Sequence, residues 1–192
     1  MFTGIIEEVG TVEENQDGKL IISCKKIVKD ANLGDSIAVN GVDLTVNKIN
    51  NNLIHFDVMP ETFRRSNLIH QTDGSSVNLE SSLTLQTKIS GHIVRGVVET
   101  TCFLESLSEE QNAIVASYKT DAEFLKYILI KGPVTLDGVS LTVISKNTES
   151  FSVSLVEWTQ QNTNLLMREN GDEVNLETDI FARYIEQLID RG

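Results

Sequence analysis

The chain repeats itself, and nothing else in the sequence limits its possible folds as strongly. Displaced by 97 positions, residues 37–80 align with residues 134–177 without a gap, and 14 of the 44 pairs are identical. Ordinary residue frequencies would give roughly three by chance. Gly41-Val42 falls on Gly138-Val139, Leu44-Thr45-Val46 on Leu141-Thr142-Val143, and Thr62 on Thr159. Asn67-Leu68 falls on Asn164-Leu165, and Val77-Asn78-Leu79-Glu80 on Val174-Asn175-Leu176-Glu177. The halves also open alike, Gly4-Ile5-Ile6-Glu7 against Gly96-Val97-Val98-Glu99. Two copies are too few for a solenoid, so each is expected to close around its own core. The units expected are 1–87 and 88–178, with a tail over 179–192.

Each copy reads as β-structure. Ser36–Val39 and Val134–Leu136 run into Asn40-Gly41 and Asp137-Gly138, both strong signals for tight hairpin turns. Leu44–Val46 and Leu141–Val143 resume as strands. Leu53–Val58 and Phe151–Leu155 then alternate as a half-buried sheet requires, with Lys19–Ser23 and Ala113–Ser117 filling the earlier slot. Many short strands at this spacing predict a small closed barrel, which leaves no free edge. Helices are few. Asp121–Ile128 reads as a short one capped by Asp121. From Asp179 onward, Ile180, Phe181, Tyr184, Ile185, Leu188 and Ile189 form one apolar stripe, with Arg183, Glu186, Gln187 and Asp190 opposite. Packing back on its own chain and packing between chains suit that stripe equally.

The 192 residues are 40% hydrophobic and 23% charged, a globular composition. The net charge of −12 repels phosphate backbones and anionic lipid, which argues against nucleic-acid and membrane partners. No apolar run approaches the roughly 18 residues that span a bilayer, and Met1-Phe2-Thr3-Gly4 does not open a signal peptide, so a soluble cytoplasmic protein is expected. Cys24 and Cys102 lie among apolar neighbours and read as core residues. His55, His70 and His92 are dispersed, and no metal site is expected.

Several long motifs resemble the riboflavin synthase family. Met1–Glu8 is similar to that family's amino terminus, Gly34–Val42 and Asp57–Thr62 to its first-barrel signatures, and Lys131-Gly132 with Asp137–Val143 to those of the second. The resemblance implies an all-β fold of two tandem, homologous Greek-key β-barrels plus a C-terminal α-helix. It implies a transferase that dismutates two molecules of 6,7-dimethyl-8-ribityllumazine into riboflavin and 5-amino-6-ribitylamino-pyrimidinedione. It implies no cofactor beyond the lumazine substrate and flavin product, a homotrimer joined through the C-terminal helix, and lumazine synthase as a candidate partner. A reaction between two identical molecules needs two similar pockets, which a duplicated chain supplies, and alignment of both reactants can contribute about 7–11 kcal/mol.

Carried over by position, the first pocket comprises Gly4, Ile5, Ile6, Asp43, Leu44, Thr45 and the run Asp57, Val58, Met59, Pro60, Glu61, Thr62. The second comprises Gly96, Val97, Val98, Lys131, Ser140, Leu141, Thr142 and the run Ser154, Leu155, Val156, Glu157, Trp158, Thr159. Gly41 and Gly138 read as turn residues rather than ligand contacts. Phe2, Asp43, Ser140 and Asp179 match positions with a catalytic role in the family, and Asp179 equally suits a helix cap.

Three departures follow. Asp43 replaces a cysteine, and a carboxylate can orient or deprotonate a water but cannot act as a thiolate. Val97 replaces a histidine suited to proton transfer, and His92, which matches a different family histidine, is no obvious substitute. Glu157-Trp158-Thr159 replaces a Pro-Glu/His-Thr pattern, where Trp158 could stack on a ligand or simply pack. Two functions are therefore compatible with the sequence: the enzyme, which it favours, and a non-catalytic lumazine- or flavin-binding protein.

Overall fold

The computed structural model describes residues 1–189, and Asp190 of the polar face lies outside them. The first half supplies β1 (Glu8–Gln16), β2 (Lys19–Ser23), β3 (Ser36–Val39), β4 (Val42–Asn50), β5 (Leu53–Asp57) and β6 (Ser76–Ser81). They close in the order β1-β2-β5-β4-β3-β6, with every pair antiparallel. The second half supplies β7 (Thr100–Glu110), β8 (Ala113–Lys119), β9 (Pro133–Leu136), β10 (Val139–Lys146), β11 (Ser150–Leu155) and β12 (Glu173–Glu177). Its order, β7-β8-β11-β10-β9-β12, is the same Greek-key circuit repeated.

Alternation fills each barrel from the inside. Leu20, Ile22, Leu44, Val46, Ile54 and Phe56 share the first core, while Leu104, Tyr118, Leu141, Val143, Phe151 and Val153 share the second. Cys24 and Cys102 are buried free thiols in these cores, as expected, and burial pushes the Cys24 thiol up to about 11. Even the irregularities recur. Register shifts at Val12/Glu14 and Val46/Lys48 return at Leu104/Ser106 and Val143/Ser145, the bends a short strand needs to turn a barrel corner.

The barrels meet across a pseudo-twofold axis. Gly41 and Gly138, at φ +79° and +81°, sit back to back, and a Cβ on Gly41 would lie 2.7 Å from the Gly138 nitrogen. Only glycine allows two positive-φ turns to approach so closely. Around them runs a buried polar network in matched pairs. The Asn67 N–H donates to Asn175 Oδ1 (2.6 Å) and the Asn164 N–H to Asn78 Oδ1 (2.8 Å). Asn78 Nδ2 donates to the Asp137 carbonyl (2.9 Å), and Asn175 Nδ2 to the Asn40 carbonyl (2.8 Å). One substitution breaks the symmetry and another answers it. Asp137 stands opposite Asn40, and its fully buried carboxylate is met by Arg168 at 2.7 Å, where the first half has Gln71.

Among the described residues four α-helices decorate the barrels: α1 (Pro60–Arg65), α2 (Ala122–Leu125), α3 (Glu157–Asn162) and α4 (Ile180–Ile189). α1 and α3 occupy equivalent places and were not expected, since six residues give too little periodicity to read. Pro60 at the first turn of α1 was the available signal. The helix expected at Asp121–Ile128 is regular only over α2, and Asp121 makes no side-chain cap bond. α4 docks by its polar side. Glu186 accepts from Lys126 and Tyr127, while Phe181, Tyr184, Ile185, Leu188 and Ile189 remain more than half exposed. No helix among the described residues is long and apolar enough to cross a membrane.

Candidate functional site

Beyond each glycine turn the strand emerges at the surface, so β4 presents Asp43 and Thr45 while β10 presents Ser140 and Thr142. Leu44 and Leu141, between them, point into the cores, leaving only their backbone for a ligand. Each strand is then met by the opening segment of the other half. The Asp43 N–H donates to the Gly96 carbonyl (2.9 Å), and the Ser140 N–H donates to the Gly4 carbonyl (2.8 Å). Ile6 belongs to the second core and Val98 packs against the first.

The expected grouping is therefore exchanged. Gly96, Val97 and Val98 complete the first-barrel site, and Gly4, Ile5 and Ile6 belong beside Ser140. Alignment of the halves could not reveal this, because a repeat specifies which residues are equivalent and not which barrel receives them.

Two carboxylates hold the crossing segments. Glu80 Oε1 accepts from the Thr3 N–H (2.7 Å) and hydroxyl (2.8 Å), and Oε2 from the Gly4 N–H (2.9 Å). Glu177 accepts from the N–H groups of Arg95 (2.7 Å), Gly96 (3.0 Å) and Val97 (2.9 Å). Burial raises both acids, Glu177 to about 7, against the opposing pull of these donors. Sequence reasoning passed over Glu80 and Glu177, although both end the longest identical run of the repeat.

The first site is a cleft of about 820 Å³, lined by Asp43, Thr45, Glu61, Thr62, Arg65 and Gly96–Glu99, with Glu123, Phe124 and Arg183 closing one side. Asp57 and Met59 are exposed outside this lining, and Val58 is buried in the barrel. In the second half Lys131 is exposed at φ +67°, its N–H donating to the Val143 carbonyl (2.8 Å). Ser154 and Thr159 are half-buried, whereas Val156 and Trp158 are exposed, Trp158 at 53%.

Of the four expected catalytic residues, Asp43 lines the cleft and Phe2 does not. Phe2 is fully buried against Val94 and Ala38, and its ring supports the Gly96 turn from behind. Asp179 Oδ1 accepts from the Phe181 N–H (3.0 Å), the N-cap bond of α4. Ser140 has an unforeseen partner. His92 Nδ1 lies 2.7 Å from Ser140 Oγ, and Nε2 lies 3.1 Å from the Thr135 hydroxyl. Burial lowers the His92 pKa below its ordinary value, and the charge of Asp179 works in the other direction. His92, set aside from sequence, thus stands between the Ser140 and Thr135 hydroxyls. Among the described residues no cluster suits a metal ion.

The Lumazine binding domain family model matches residues 3–82 and 95–179. Riboflavin synthase from Actinobacillus pleuropneumoniae is 40% identical over 193 residues, covering 98% of this chain and 90% of that protein. Riboflavin synthase from Bacillus subtilis is 38% identical over 196 residues, covering 100% and 91%. The structure of LumP complexed with riboflavin superposes with a TM-score of 0.86 at 23% identity, over 93% of this chain and 100% of that one.

Proposed function

The chain belongs to the lumazine binding domain family, with both halves matched, and from that membership we propose a transferase of the riboflavin synthase type. It dismutates two molecules of 6,7-dimethyl-8-ribityllumazine, passing a four-carbon unit from one to the other and releasing riboflavin and the pyrimidinedione. The observation that carries this reading is the exchange of opening segments. Each barrel's surface beside its glycine turn is finished by the other half, so the chain offers two equivalent sites, the number a reaction between two identical molecules needs. Full-length similarity to curated riboflavin synthases supports it.

The second site carries the proton chemistry in this reading. When a ring methyl loses its proton, Ser140 Oγ accepts it as its own passes to His92 Nδ1, 2.7 Å away. A neutral imidazole is required for that step, and the lowered pKa keeps it neutral near pH 7. Asp179 then stabilises the imidazolium. The first site holds the partner ring between Thr45, Thr62 and the Gly96–Val98 backbone, with Asp43 in place of a nucleophile.

No bound cofactor takes part. The protein works in the cytoplasm as a homotrimer joined through the exposed stripe of α4, and lumazine synthase is its candidate partner on family resemblance. Mixing purified protein with the lumazine and following riboflavin absorbance tests the reading: production well above the uncatalysed rate supports it. Tight fluorescent binding without conversion would instead make the chain a lumazine- or flavin-binding protein.

A further inference from the structure

α4 carries a side chain that its own contacts do not use up. Arg183 Nε lies 2.7 Å from Glu99 Oε1, and the guanidinium lies over the rings of Tyr127 (4.8 Å) and Phe124 (5.8 Å). The Tyr127 and Phe124 rings fix the guanidinium plane at the cleft wall, and Glu99 is itself anchored by the Thr178 N–H (3.1 Å) and hydroxyl (2.7 Å). Yet Arg183 makes no aligned hydrogen bond among the described residues, and even its buried Nε–H lacks one. A guanidinium offers five donors, and a half-buried one seldom leaves them idle. Arg183 lines a cleft of about 820 Å³.

We infer that Arg183 is a ligand-binding residue of the first-barrel cleft, donating to neutral oxygens of the bound molecule, the ring carbonyls or ribityl hydroxyls. This rests on the lumazine-binding reading above and adds to it a contact from outside both barrels. Neutral acceptors are favoured because Glu99 already balances the guanidinium and Glu123 lies along the same wall, so a phosphate there would meet uncompensated negative charge.

Isothermal titration of the full-length protein with riboflavin, and separately with its 5′-phosphate, tests this. Arg183→Met should weaken both flavins alike at one class of sites by roughly ten- to hundredfold, the span expected for hydrogen bonds to a charged donor. Gln187→Ala, an exposed position on the same helix outside the cleft lining, should leave both isotherms unchanged. The sedimentation coefficient of Arg183→Met should match wild type. An Arg183→Met isotherm superimposable on wild type would overturn the inference, as would equal weakening by Gln187→Ala or a loss confined to the phosphate ester. Failure of wild type to take up either flavin would overturn the functional reading and this contact with it. Wild-type uptake with an indifferent Arg183 would remove the contact alone.

Discussion

Replacing Arg168 with glutamine copies into the second half what the first half already has at Gln71, and leaves Asp137 buried without its counter-ion. Breaking a buried ion pair from one side costs about 3–5 kcal/mol. Asp137 Oδ1 keeps its bonds from Asn67 Nδ2 (2.8 Å) and the Asn175 N–H (2.8 Å), so only Oδ2 is orphaned. The cost should therefore fall near the lower end, about 3 kcal/mol, a large share of the roughly 5–15 kcal/mol that holds a folded domain. Adding Asp137→Asn recreates the Asn40/Gln71 pair, and the double variant should return to within about 1 kcal/mol of wild type. Burial already raises the Asp137 pKa. Losing Arg168 raises it further, so the folded state gains a proton that the unfolded state lacks, and stability falls as pH rises. Urea unfolding of wild type, both single variants and the double, at about pH 5 and about pH 7.5, measures the cycle. The Arg168→Gln penalty should be smaller at the lower pH. A double variant as unstable as Arg168→Gln, or a penalty indifferent to pH, would refute the claim that these two residues are one compensated exchange.

A Cβ at Gly96 (φ +79°) would lie 2.7 Å from the Asp43 Cβ and 2.8 Å from the Phe2 ring. Gly96→Ala should thus cut flavin affinity at the first cleft at least about tenfold in a fluorescence titration, while Gly74→Ala, at φ +85° with open space around it, should cost only about 1 kcal/mol in urea. Asp179→Asn removes the charge that favours imidazolium at His92. The acid limb of kcat should move to lower pH with a lower plateau, and an unmoved limb would detach Asp179 from the proton path. Deleting residues 180–192 removes the exposed apolar stripe of α4, and sedimentation velocity should report a smaller assembly; an unchanged mass would exclude α4 as the contact.

Much of this architecture could be read from residues alone, for a definite reason. Strand alternation at Leu53–Val58 and the Asn40-Gly41 and Asp137-Gly138 turns are local signals, and duplication doubled each of them. α1 and α3 were missed because a turn and a half of helix has no periodicity to detect. Site geometry was harder to foresee because it depends on crossing. The offset between Gly4 and Gly96 makes them equivalent, but only the folded backbone shows that Gly4 bonds to Ser140 and Gly96 to Asp43. His92, which matches a different family histidine from the one Val97 replaces, gives no sign in sequence of its 2.7 Å contact with Ser140, which joins residues 48 positions apart. Phe2 matches a family position and lies at 0% exposure behind the cleft, a depth that sequence alone does not show.

Each half-chain is expected to offer a surface that grips one flat, nitrogen-rich ring. Calorimetric titration with riboflavin, scored for equivalents bound per chain, tests that most directly. Two equivalents per chain are predicted, one for the Asp43–Gly96 site and one for the Ser140–Gly4 site. Saturation at zero or one would contradict it, whatever rate the protein achieves.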